Sequence, residues 1–243
     1  MTNDRKPDDM DITRRGFNTR ICAGTLLTSF SAASASAATY IVGKGDTLTQ
    51  IGRRYGTTAR ALRSANHLSS DTILVGQKLT VPAVSKEMSA VRKATNRIKL
   101  NRRKWKYIVV HHSATSSGNA ESFDRVHRKR GMQNGLAYHF VIGNGRDSGD
   151  GEIEIGRRWT RQLSGGHVGT WKYNAYGIGI CLVGNFEKQK PTHQQITSLK
   201  ELIGYLGVDL LDGKYKFLVH REINPTLCPG RNFPTREMHR IFG

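Results

Sequence analysis

His220 and Cys228 lie eight positions apart in the stretch LVHREINPTLCPG, Leu218–Gly230, with Pro225 between them and Pro229 directly after. An imidazole and a thiolate are donors that zinc favours, yet a neutral histidine and a thiol are equally ordinary contents of a protein core. A catalytic zinc takes three protein ligands and keeps a fourth position for water, so a third donor is needed. The run YIVVHHSAT, Tyr107–Thr115, offers one, because it is β-branched and ends in His111 and His112. Strand alternation sends those two imidazoles to opposite faces, so only one of them can join the set. His111, His220 and Cys228 make a chemically coherent trio, with His112 and His139 left as competing donors.

Such a trio needs elements that deliver it. From Trp105 onward the chain alternates strand-like and helix-like runs, as a single α/β domain does. YIVVHHSAT is followed by SFDRVHRKRGM, an amphipathic helix predicted to start at a Ser122 cap. LAYHFVIGNG reads as a second strand closing in a turn, with GEIEIGRRW as its hairpin partner. YGIGICLVGNF is a third apolar strand, THQQITSLKELIGYLGVDL a helix capped by Thr192, and KFLVHREI a fourth strand leading into the His220–Cys228 loop. The histidines therefore fall at the C-terminal ends of strands, where open α/β sheets place their sites.

A smaller unit precedes this domain. In TYIVGKGDTLTQIGRRYGTTARALRSANHLSSDTILVGQKLTVP, Thr39–Pro82, YIV and QKLTVP are strand signals and Gly45-Asp46 marks a turn. Leu48, Ile51 and Tyr55 share helical spacing, and TARALRSAN is a second helix, which makes a two-layer βααβ module. The segment AVSKEMSAVRKATNRIKLNRRK has little apolar periodicity beyond Met88, Val91 and Ile98. It reads as a basic linker with room for one short helix, which could dock on the next domain.

Charge narrows the choice of partner. The 243 residues hold 38 basic and 19 acidic side chains, a formal net charge of +19. That suits nucleic acid, an anionic membrane surface or an anionic wall polymer. Three cysteines, Cys22, Cys181 and Cys228, are too few for a disulfide scaffold. Near the start, TRRGF precedes a mildly apolar run ending in small residues of the A-x-A type. It resembles a twin-arginine export signal cleaved near Ala37 or Ala38, and it is too short and too rich in Ser and Ala for a stable membrane span. Residues 39–104 then carry fourteen basic and three acidic groups. Export with concentrated positive charge favours an anionic extracellular surface, in the periplasm or cell wall of a bacterium, over nucleic acid.

Two resemblances sharpen this reading. The pattern of YIV, GDTL, Ile51, Tyr55-Gly56, Leu62, Asn66, Ile73, Gly76-Gln77 and Pro82 resembles a LysM domain. That implies binding to N-acetylglucosamine-containing glycans such as peptidoglycan or chitin. The implied groove lies between the Gly45–Leu48 turn, with Gly45, Asp46, Thr47 and Leu48, and the Asp71–Gly76 loop, with Asp71 and Ile73. The blocks VVHHSAT, AYHFVI, GGHVGTWKYNAYGIGICLVGNF and HREINPTLCPG resemble those of the type 2 N-acetylmuramoyl-L-alanine amidases, a family that includes amidase-type phage lysozymes and the peptidoglycan recognition proteins.

This second resemblance implies a mixed central β-sheet flanked by helices and one zinc ion held by His111, His220 and Cys228. It also implies a catalytic Tyr138 near the zinc, a Thr226 hydroxyl placed to assist a developing oxyanion, and His167 in the substrate cleft. Cys181 stands where cytoplasmic relatives carry a general-base glutamate, so water activation would rest on zinc and Tyr138, with His167 as a further candidate helper. The implied reaction cleaves the amide between N-acetylmuramic acid and L-alanine. The expected division is an export signal over 1–38, a LysM domain over 39–83, a linker over 84–104 and a zinc amidase over 105–243. The expected partners are peptidoglycan glycan strands and stem peptides, bound by a monomer, with no nucleic acid and no stable membrane insertion. Two rivals remain: a protein that recognises peptidoglycan without cutting it, and a basic nucleic-acid binder.

Overall fold

The structure is a computed structural model that describes residues 38–243 apart from residues 56, 84 and 103. The expected export signal lies outside the described residues. β1 (Ala38–Ile41) pairs antiparallel with β2 (Lys78–Val81), and α1 (Leu48–Tyr55) and α2 (Ala59–Ala65) join them in the expected βααβ order. Thr47 and Gln50 cap α1 reciprocally: the Thr47 N–H donates to Gln50 Oε1 at 3.1 Å and the Gln50 N–H to Thr47 Oγ1 at 3.2 Å. Thr58 caps α2 by accepting from the Ala61 N–H. Leu48, Ile51, Leu62, Leu79 and Val81 close the core between the two layers.

The stretch expected as a linker is part of the second body. Ser85 accepts from the Met88 N–H and starts α3 (Lys86–Thr95). Met88 and Val91 are buried in the same cluster as Trp105, Trp159 and Leu202, and Trp159 Nε1 donates to Thr95 Oγ1 at 3.0 Å. Met88, Val91 and Thr95 form a stripe at helical spacing that the surrounding lysines and arginines obscure in the sequence. The α/β body therefore begins at Ser85 rather than Trp105.

That body is built on a five-stranded sheet: β3 (Tyr107–His112), β4 (Phe140–Ile142), β5 (Ile153–Ile155), β6 (Gly177–Leu182) and β7 (Lys216–Val219), in the order β5-β4-β6-β3-β7. Only the β4/β5 hairpin is antiparallel. Around it run α4 (Ala120–Lys129), α5 (Arg157–Thr160), α6 (Trp171–Tyr176), α7 (His193–Ile203), which continues through a π-helical segment to Leu210, and α8 (Thr235–Phe242). Thr192 caps α7 as expected. α4 starts earlier than predicted, because Asn119 is its cap and Ser122 is the residue that bonds back to the Asn119 N–H.

The two sheet faces differ. On one, Ile108, Val110, Phe140, Ile142, Ile178, Ile180, Phe217 and Val219 join the main apolar core. On the other, Val109 and His111 of β3 lie beside Gly179 and Cys181 of β6. The small module docks on the same body. Arg60 of α2 donates to the Ile241 carbonyl at 2.7 Å and its guanidinium lies 5.3 Å from the Phe242 ring centroid, while Arg92 of α3 reaches the Thr57 carbonyl at 3.1 Å.

Candidate metal centre

The parallel neighbours β3 and β7 end side by side, and each delivers a histidine at its C-terminal end. His111 is the penultimate residue of β3, and His220 opens the single 3-10 turn that follows β7. The Arg221 N–H donates to the Cys228 carbonyl at 2.9 Å, which folds the Pro225–Pro229 loop back over the strand ends. The donor atoms of His111, His220 and Cys228 all lie within 4.8 Å of one another. Cys228 Sγ is 3.8 Å from His111 Nδ1. A tetrahedral zinc with ordinary Zn–S and Zn–N bonds would set those two atoms about 3.6 Å apart.

Burial sets the protonation state of all three donors, favourably for the two imidazoles. Burial, reinforced by the neighbouring imidazoles of His167 and His220, holds His111 well below the usual histidine range, so the ring is neutral. Burial lowers His220 as well, against a hydrogen bond from its ring to the Asn224 side chain. The Cys228 thiol is pushed up to about 12 by burial, although the His112 N–H points at its sulfur from 3.4 Å. That N–H is already placed to stabilise the thiolate a metal ion would require.

The competing histidines are accounted for elsewhere. His112 turns to the opposite face and its Nδ1 accepts from the Phe186 N–H. His139 is fully buried against Trp105, with Nδ1 accepting from the Gly179 N–H and Nε2 facing the Leu163 carbonyl at 3.1 Å. Tyr138 packs its ring 5.2 Å from that of His111, and its hydroxyl bonds the buried Cys181 thiol. Burial, with the thiols of Cys181 and Cys228 close by, raises the Tyr138 pKa well above the usual phenol value, so the hydroxyl keeps its proton. Thr226 is exposed, and its hydroxyl accepts from the Cys228 N–H at 3.3 Å.

Three expected ligand contacts are placed differently. His167 is 5% exposed and lies behind His111, with Nδ1 at 3.0 Å from His111 Nε2, so it does not line an open cleft. Leu48 is 2% exposed inside the small module, and its side chain serves the core. The Asp46 carboxylate braces the Gly43–Asp46 turn by accepting from the Gly43 N–H and the Tyr40 hydroxyl. Gly45, with φ +84°, makes the same turn. Asp71 is exposed and paired with Arg63 at 3.1 Å, Thr47 is a helix cap, and Ile73 packs on the module's core.

Asn174 and Asn224 are site residues that sequence reading missed. Asn174 Oδ1 accepts from the His167 and Val168 N–H groups, and its Nδ2 donates to the Val168 carbonyl. The available signal was a pair of glycines, Gly177 and Gly179, in an otherwise apolar strand, which marks a close approach. A methyl at Gly179 would meet the His167 ring at 2.5 Å.

A family model described as N-acetylmuramoyl-L-alanine amidase matches residues 101–231. The chain belongs to this family. A LysM domain model matches residues 40–82. Peptidoglycan-recognition protein LB of Drosophila melanogaster is 33% identical over 135 residues, which cover 51% of this chain and 54% of that protein. An N-acetylmuramoyl-L-alanine amidase of Sus scrofa is 27% identical over 136 residues, 51% of this chain and 21% of that one. The chain spans about half the length of the first curated relatives it matches. Among solved structures, the N-acetylmuramoyl-L-alanine amidase LysC from Clostridium intestinale URNW superposes with a TM-score of 0.50 at 33% identity, covering 56% of this chain and 84% of that one. The mixed sheet flanked by helices is thus the fold of the amidase family.

Proposed function

We propose that the chain is a zinc-dependent peptidoglycan hydrolase that cleaves the amide bond between N-acetylmuramic acid and L-alanine. The observation that carries this reading is the convergence of His111, His220 and Cys228 within 4.8 Å, a complete donor set for a catalytic metal within an amidase-family domain. A recognition protein has no need of that set. Zinc bound there would supply Lewis acidity toward water and toward the carbonyl oxygen of the scissile amide.

The chain's own residues do the rest. His111 and His220 present neutral imidazole lone pairs, and Cys228 offers its sulfur under the His112 N–H. Tyr138, protonated and beside His111, is the donor for negative charge developing on the amide oxygen. Thr226, exposed at the loop, is the second hydroxyl assigned to that charge. The departing L-alanine amine takes up the proton that the attacking water gives up. Among the described residues, no carboxylate joins the donor group of the site, so proton transfer falls to Tyr138 and solvent.

The LysM module supports glycan-strand binding, and its docking through Arg60 and Arg92 holds the two activities in one body. The net charge of +19 supports residence at an anionic wall. The twin-arginine pattern supports export, and we read the working form as a monomer acting in the periplasm or wall. Among the described residues, no helix is long and apolar enough to cross a membrane.

The test is mass spectrometry of purified peptidoglycan after incubation with the protein, with and without a zinc chelator and beside Cys228→Ser. Release of peptides carrying a free L-alanine amine, lost on chelation and in the variant, is the expected result. Retention on the wall without soluble peptides would overturn hydrolysis in favour of recognition.

A further inference from the structure

The loop Ser164–Thr170 touches His111 of the candidate metal centre through His167 and reaches His220 through Asn224. On one side, His167 Nδ1 lies 3.0 Å from His111 Nε2, and His167 Nε2 lies 3.4 Å from the Gly177 carbonyl oxygen. A carbonyl can only accept, so His167 carries its proton on Nε2 and presents a lone pair on Nδ1. His111 must then donate from Nε2, which leaves the lone pair of its Nδ1 facing Cys228 Sγ at 3.8 Å. The tautomer that a metal ligand needs is imposed by one chain of hydrogen bonds running from Gly177 through His167 to His111.

The other histidine is backed from the same loop. The His220 ring hydrogen-bonds the Asn224 side chain. Asn224 Oδ1 accepts from the Gly169 N–H at 2.9 Å, and its Nδ2 donates to Thr170 Oγ1 at 3.3 Å. The loop itself is held by Asn174, which bonds the backbone of His167 and Val168, and whose own carbonyl accepts from the Gly165 N–H at 2.7 Å.

Space for the His167 ring is also specified. A methyl group at Gly165 would sit 2.3 Å from a ring carbon of His167, and one at Gly179 would sit 2.5 Å from the same carbon. Two glycines therefore border the imidazole, and no other side chain could replace either without moving it. A ring so enclosed, 5% exposed, has no face free for a substrate.

We infer that His167 is a positioning residue for the metal centre, acting through His111, and that the Asn174-clamped loop sets the orientation of both ligating histidines, with Asn224 as the link to His220. This rests on the zinc reading above and assigns to His167 a structural duty toward the metal in place of a substrate contact. Hydrogen-bond partners of metal-ligating histidines typically contribute 10–100-fold in metal affinity.

The experiment measures zinc affinity by competition with a chromophoric chelator on the full chain, for wild type, His167→Leu, His167→Gln and Asn224→Ala. The expected result is a 10–100-fold weaker zinc complex for His167→Leu and a smaller loss for His167→Gln, whose amide oxygen can still accept from His111 Nε2. Asn224→Ala should also weaken zinc, by loosening His220. Nitrogen-15 NMR of wild-type protein stripped of metal supplies a readout free of folding effects, and it should show His111 protonated at Nε2 and bare at Nδ1. Unchanged zinc affinity in His167→Leu with a raised KM would overturn the inference and return His167 to the substrate. The opposite His111 tautomer would overturn it as well. A protein whose zinc affinity depends on His167 but which releases no peptide would refute hydrolysis and leave this inference standing.

Discussion

Met88→Ala separates the fold described above from the linker that its charged surroundings suggest. Met88 is 3% exposed and packs in the cluster that holds Trp105, Trp159, Leu199 and Leu202. Truncating a buried methionine to alanine removes the transfer free energy of the lost atoms and leaves a cavity, together about 2–5 kcal/mol. On a solvated linker the same change would stay within about 0.5 kcal/mol. For a folded body of this size each kcal/mol moves the melting temperature by about 2–4 °C, so a fall of roughly 4–20 °C is expected. Thermal unfolding of the full chain should be followed by tryptophan fluorescence, since Trp105 and Trp159 sit in the affected core. Lys93→Ala, on the exposed side of the same helix, is the control and should change little. A Met88→Ala melting temperature within 2 °C of wild type would refute the packing of α3 as described.

Further outcomes follow from the same geometry. Tyr138→Phe should lower peptide release roughly 10²-fold, as loss of one donor to a developing oxyanion does, while zinc affinity measured by chelator competition stays at the wild-type value. Gly179→Ala places a methyl against the His167 ring on a strand residue whose N–H and carbonyl are both bonded to His139, so neither side can yield freely. It should cost about 1–3 kcal/mol in urea unfolding and weaken zinc as well; a fully stable variant with normal zinc affinity would contradict the placement of that ring. Burial holds His139 well below the usual histidine range and His167 down to about 3. The unfolded chain takes up these protons below about pH 6.5 and the fold does not, so their contribution is complete above that pH and is lost as pH falls. In the presence of chelator, unfolding free energies should therefore decline from pH 7.5 to pH 5.5, by up to about 1.4 kcal/mol per pH unit for each histidine. A flat profile would refute the burial of these rings.

What was legible in the sequence was local. The βααβ order of the small module, the strand ending in His111 and His112, the Thr192 cap and the Pro-bounded loop carrying Cys228 all follow from periodicity, capping and turn chemistry, which act over a few residues. The opposite-facing pair at His111 and His112 followed from strand alternation alone. The resemblance of four short blocks to the amidase family supplied the trio that the structure brings within 4.8 Å.

Tertiary structure decided the rest, because it depends on which residues from distant segments share space. Strand order places β7 beside β3, and only that adjacency lets His220 face His111 across 109 residues of chain. Docking against Trp159 turns a lysine-rich stretch into a core helix, since two buried apolar side chains and one buried hydroxyl outweigh the charges that simply remain in water. His167 reads as a loop histidine until Gly165 and Gly179 are seen to enclose its ring, and Asn174 reads as a turn residue until its amide is seen to clamp that loop. Residue types and spacing determined which groups could bind a metal; the packing of one loop behind two strand ends determined how those groups are oriented.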